Sequence, residues 1–227
     1  MNFLCHAIPY LDQPLLAAST GVPDWMSVVD RRVRVRGKLA ARFVEDPDWQ
    51  LRQVSAGILQ HIEDDRWFHN TEAFVDTNLR LAVQLRDRLP GDIGFRPMFV
   101  GHILIEMFLD SYWIHEDRGI AQRYYDTVSS IDPEIIRRCV ATITGKPVDG
   151  LPEVIMRFCD LQFLYDYCDH AKLLGRINQV MRRVGLSELP LSLVQWLREA
   201  DKLVESRREL LLTPPDGANP FGLPFPS

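Results

Sequence analysis

Three side chains able to bind a metal, His61, Asp65 and His69, recur at four-residue spacing in this chain, which holds only six histidines in 227 residues. In an α-helix each step of four turns the chain by about 40°, so the spacing predicts that all three face one side over about two turns. His102 and Glu106 repeat the i, i+4 pattern within a very apolar stretch, among Phe99, Val100, Ile103, Leu104, Ile105, Met107 and Phe108. An imidazole and a carboxylate buried there alone would be costly, and a bound cation is one way to compensate them. Imidazole with carboxylate suits borderline divalent metals, and one helix can supply two ligands at this spacing. The same residues also allow a plainer reading. Glu63, Asp64 and Arg66 give the first segment a wet side, and Glu106 could pair with Arg96 or Arg123.

The remaining histidines carry less on their own. His6 lies in the apolar run Phe3-Leu4-Cys5-His6-Ala7-Ile8 and alone reads as a buried, hydrogen-bonded histidine. Asp24 alone reads as a helix N-cap. Asp64 is an alternative ligand to Asp65 but points about 100° away from it. His115 with Glu116 and Asp117 reads as a surface cluster, and Asp169-His170 has no supporting spacing. No nucleophile-elbow, phosphate-loop, dinucleotide or kinase motif is present, which leaves metal-assisted chemistry as the main enzymatic option.

The chain reads as all-α: one helical bundle of HD-like type, about eight to ten helices over residues 1–212, then a Pro/Gly-rich tail over 213–227. Asp46-Pro47-Asp48 predicts a helix N-terminus with proline at the first position, running to about Asn70. Further helices are expected from Thr71 to Leu89-Pro90-Gly91, from Arg96 to His115, after Asp132-Pro133, after Leu151-Pro152, over about 169–184 and over 190–212. The best strand-like alternation, Val33-Arg34-Val35-Arg36, is short and discounted. The tail cannot be helical, and Phe221 and Phe225 could lay it on the surface as a strap.

Composition is that of a soluble globular protein, with 46% hydrophobic and 25% charged residues. A net charge of -5 argues against general nucleic-acid binding. No apolar run approaches a membrane span, and the first residues lack the layout of a signal peptide. Cys5, Cys139, Cys159 and Cys168 have no CxxC spacing and read as reduced thiols in a cytoplasmic protein.

The opening Met1-Asn2-Phe3-Leu4-x-His6 resembles that of acyl carrier protein phosphodiesterases, all-helical hydrolases related to HD-type metal phosphohydrolases. The likeness continues at Gly21 and Asp24-Trp25, where that family has glycine and then Asp-Phe. It is clearest at Gly57-Ile58-x-x-His61-x-x-x-Asp65. It recurs from Phe108-Leu109 to Trp113, and in Phe163-Leu164-x-x-Tyr167 and Met181-Arg182-Arg183, covering roughly residues 1–185. The resemblance implies removal of the phosphopantetheine arm from holo acyl carrier protein. It adds His6 and Asp24 to His61, Asp65, His69, His102 and Glu106 as metal ligands, with Asp24, Asp65 and His69 also catalytic. The chain departs from the pattern at His69, His102 and Glu106, where the family tends to carry aspartate. The added nitrogens shift the expected metal toward manganese or iron, with magnesium or zinc possible, and one or two ions held. Arg31, Arg32, Arg34, Arg36, Lys38 and Arg42 would give an acidic carrier a docking surface; alone, the run reads equally as a solvated face. Two other functions fit the same residues: an HD-like hydrolase or diiron oxygenase acting on a different small molecule, or a non-enzymatic helical protein that docks an acidic partner.

Overall fold

A computed structural model describes residues 1–89, 91 and 96–222. The described residues form helices joined by turns and loops, with no strand among them. Nine α-helices have eight or more residues; four shorter ones and four 3-10 turns complete the set. No helix among them is long and apolar enough to cross a membrane.

The chain divides into two compact units, each made of separated stretches of sequence. The first takes Met1, Phe3–Arg66 and Gly119–Phe163; the second takes Asn2, Trp67–Arg118 and the chain from Leu164 onward.

In the first unit, α1 (Phe3–Ala7), α2 (Pro14–Ser19), α3 (Val22–Val29) and α4 (Gly37–Ala40) precede the long α5 (Trp49–Asn70). Asp48, one residue before α5, accepts from the Gln50 amide at 2.9 Å. The cap is therefore Asp48. Asp46 instead accepts from the Asp48 amide at 2.9 Å, which places Pro47 outside the helix. Three more helices pack around these: α8 (Gly119–Ser129), α9 (Pro133–Thr144) and α10 (Leu151–Leu161). Asp132 caps α9, with Pro133 at the first position as expected. Phe158 of α10 is the hub of the core. Its ring lies 4.8 Å from Phe3, 5.4 Å from Trp25, 5.2 Å from Tyr125 and 5.3 Å from Phe163, centroid to centroid. Five residues cannot hold a helix by themselves. The five residues of α1 are all buried, and packing of this kind is what fixes them.

In the second unit, α6 (Glu72–Arg88) pairs with α7 (Arg96–Glu116). Thr71 caps α6 by accepting from the Phe74 amide at 3.2 Å. A bare Cβ at Gly101 would run into Asn78 Oδ1, so the two helices touch backbone to side chain at that turn. α11 (His170–Val184) and α12 (Val194–Glu205) cover α7. The helix expected over 190–212 is broken. A 3-10 turn at Leu191–Leu193 precedes α12, and α13 (Arg208–Leu212) follows it. Arg207 sits at the break, with its guanidinium drawn to α6, 2.8 Å from Thr77 Oγ1 and 2.9 Å from Asp76. The tail beyond Thr213 is non-helical, and Phe221 packs 5.4 Å from the Trp113 ring. Phe225 lies outside the described residues.

Candidate metal centres

The expected ligand line on α5 divides between two groups of three. His6, His61 and Asp65 form one, in the first unit. His69, His102 and Glu106 form the other, in the second. The four-residue step correctly unites His61 with Asp65 and His102 with Glu106. It fails at the second step on α5, because two steps rotate by about 80° and carry His69 off the face of His61. Asp24 belongs to neither group. It is the third residue of α3, which begins at Val22 behind Gly21, so it is not the helix cap either.

In the first group, α1 brings His6 against the α5 turn that carries His61. The two imidazoles stack at 4.1 Å between centroids, with 29° between planes. Asp65 lies 3.4 Å from His6 Nε2 and 3.4 Å from His61 Nε2, and accepts from the Met1 amino group at 2.6 Å. His6 is 1% exposed and His61 4%, whereas the Asp65 side chain is 32% exposed. Burial pushes the Asp65 carboxyl up, but His6, His61 and the amino group outweigh it and hold it far below the usual carboxylate range. Burial likewise disfavours a charged His6, but the Asp64 and Asp65 carboxylates prevail and raise it to about 9. Gly57, one turn before His61, lets α5 approach α2: a Cβ there would meet the Leu16 carbonyl oxygen at 2.5 Å.

In the second group, Glu106 lies 2.8 Å from His69 Nε2 and 3.3 Å from His102 Nε2. The imidazoles of His69 and His102 are 4.3 Å apart, centroid to centroid. Phe74 packs against both, 4.8 Å from His69 and edge-on to His102 at 5.0 Å. Burial pushes the Glu106 carboxyl up, but the positive charge around it and the bonds from His102 and His69 hold it well below the ordinary range. This group is the more open one, with His102 37% and His69 24% exposed.

Both donor sets fit a borderline divalent metal. Each offers two imidazoles and one carboxylate, with one ligand atom per residue and all three within 4.8 Å of one another. Bonds of about 2.1 Å need donors roughly 3–4 Å apart, so small side-chain rotations would close either group.

Several residues around the groups were not singled out from the sequence for the parts they take. Phe74 reads simply as an apolar residue of α6. Asp64 is 8% exposed and faces His6 rather than the group's interior. Asp110, fully buried, stands one turn beyond Glu106 on α7. The i, i+4 spacing from Glu106 was the available signal for Asp110. Asp64 had none, because its partner comes from 58 residues away.

The other candidates have separate places. His115, Glu116 and Asp117 are exposed, as expected. Asp169 caps α11, and His170 pairs with Asp201 at 2.9 Å. All four cysteines are free, and burial pushes the Cys139 thiol up to about 11. The basic segment is exposed at Arg31, Arg32, Arg34, Arg36, Lys38 and Arg42 and is pinned by buried Val33. Arg32 is paired with Asp30 through two bonds of 2.9 and 3.0 Å. The segment leads into α4, which packs on Leu59 and Ile62 of α5, the turn that also carries His61.

No protein-family model, no curated protein and no solved structure matches this chain.

Proposed function

We propose that this protein is a metal-dependent phosphodiesterase of the HD-like kind, acting on a phosphopantetheine-bearing acyl carrier protein or a similar phosphodiester. The observation that carries this reading is the first group. The two segments most like the acyl carrier protein phosphodiesterases, at His6 and at His61-x-x-x-Asp65, meet there in one set of donors, two of them buried. Manganese or iron suits two imidazoles and a carboxylate better than magnesium. A divalent metal there would supply a Lewis acid for phosphate oxygens and a water activated near neutral pH. The chain's own part is to hold the donors in place and keep the carboxylates ionised, as their lowered titration favours. Exposed Arg34, Arg36 and Lys38, beside α5, suit an acidic partner's approach to that face.

The test is incubation of holo carrier protein with chain reloaded with manganese or iron, with mass spectrometry of the carrier. Release of 4'-phosphopantetheine that stops with chelator and in His61→Ala supports the reading. An intact holo carrier with fully loaded protein refutes the substrate.

A second reading has its own support. Two histidines and one carboxylate is also the donor set of non-haem iron oxygenases. Two irons per chain by elemental analysis, together with oxygen-dependent turnover, would favour that reading over hydrolysis.

A further inference from the structure

We propose that Asp64 is a positioning residue for the first group: its carboxylate accepts a hydrogen bond from His6 Nδ1–H and turns Nε2 toward the group as the nitrogen that would meet a metal. The inference rests on reading His6, His61 and Asp65 as a metal site. Asp64 Oδ2 lies 3.0 Å from His6 Nδ1. A carboxylate can only accept, so Nδ1 must be the donor, and the ring is fixed in one orientation. In that orientation Nε2 faces the group, 3.4 Å from Asp65 Oδ1 and 3.1 Å from the Met1 carbonyl oxygen. Both of these are acceptors too, so Nε2 donates in the metal-free protein, and a metal bound there would displace that proton while the Nδ1–H stays on Asp64.

Asp64 is itself held. Its other oxygen accepts from Gln60 Nε2 at 2.7 Å, one turn back on α5. Both oxygens are thus engaged in a side chain that is nearly buried. Adjacent carboxylates on α5 take different tasks because they point about 100° apart. Asp65 faces the donors, and Asp64 reaches the back of His6. His61 has no counterpart, since its Nδ1 is buried without a partner. Of the two imidazoles, only His6 is oriented from behind by a carboxylate, in the way metal-ligating histidines commonly are.

The experiment isolates the first group with His102→Ala, which disables the second, and measures cobalt affinity in that full-length background. Asp64→Ala is expected to weaken cobalt binding by about 10- to 100-fold. Asp64→Asn, whose carbonyl can still accept from Nδ1, is expected to stay within about tenfold of the parent. Parent affinity in a folded Asp64→Ala protein overturns the proposal and leaves the metal site standing. A parent that binds no cobalt overturns both. A second measurement needs no Asp64 variant: the long-range proton–nitrogen spectrum of the zinc-loaded parent. It should show His6 protonated on Nδ1 and metal-bound through Nε2; the reverse assignment overturns the proposal.

Discussion

Replacing Gly57 by alanine tests the link between helix packing and the first metal group. In an open helical position this change stabilises, because alanine outranks glycine by about 0.8–1 kcal/mol in helix propensity. At Gly57 the new Cβ would lie 2.5 Å from the Leu16 carbonyl oxygen and 2.7 Å from Ser19 Cβ, where ordinary contact is 3.4–4 Å. The obstacle is the α2 backbone, which cannot rotate aside as a side chain tip can. The two helices must separate by about 1 Å, and overpacking of this kind costs about 1–3 kcal/mol. The sign therefore reverses, and unfolding should shift downward by several degrees. A shift of that size also exceeds the roughly 0.2 Å tolerance of metal–ligand distances. His61 lies one turn on, so metal content should fall by one ion per chain with the second group still loaded. Gly175→Ala in α11 is the control. Nothing lies within 4 Å of a Cβ there, so this variant should gain about 0.5–1 kcal/mol. Thermal unfolding and elemental analysis of both variants decide the matter. A Gly57→Ala protein as stable as Gly175→Ala, with unchanged metal content, would refute the reasoning.

Gly101→Ala is the milder case: the added Cβ meets chiefly the Asn78 side-chain oxygen, which can turn aside, so it should cost less stability than Gly57→Ala and keep cobalt binding at the second group, as thermal unfolding and cobalt titration would show. Phe158→Ala removes the ring shared by Phe3, Trp25 and Tyr125 and should cost about 3–5 kcal/mol in chemical denaturation; a loss below about 1 kcal/mol would mean that the cluster does not anchor α1. In chelator-treated protein, His6 titrates at about 9 when folded against 6.5 unfolded. A raised value stabilises the fold fully below pH 6.5, and that stabilisation fades as pH rises through 9. The melting temperature of metal-free protein should thus decline between those values, and decline less in His6→Gln. Charge reversal at Arg34 and Arg36 should raise KM for an acidic carrier with little change in kcat and flatten the salt dependence; an unchanged KM would remove the basic segment from substrate docking.

The sequence displayed its helices where a cap or a proline marks them. Thr71, Asp132 and the Leu151-Pro152 step all begin helices as expected. Gly119–Ser129 forms a helix no expectation covered: it starts on glycine, right after Asp117-Arg118, with no proline to mark it. The break at Arg207 was equally hidden, because it depends on Thr77 and Asp76, more than a hundred residues away. The site shows the same divide. Spacing within one helix correctly pairs His61 with Asp65 and His102 with Glu106. Assigning His69 to the second group and His6 to the first depends on tertiary packing, to which i, i+4 rules are blind. The same holds for Asp64, whose hydrogen bond to His6 joins distant segments of chain.

The interleaving of the two units sets an order of assembly during synthesis. The ligands of the second group, His69 to Glu106, lie within 37 positions of one another, although α11 and α12, which cover α7, follow much later in the chain. The first group's ligands are complete earlier, at Asp65, yet the hub that anchors α1 is Phe158. His6 must therefore wait, through nearly a hundred more residues, for the ring that holds its helix.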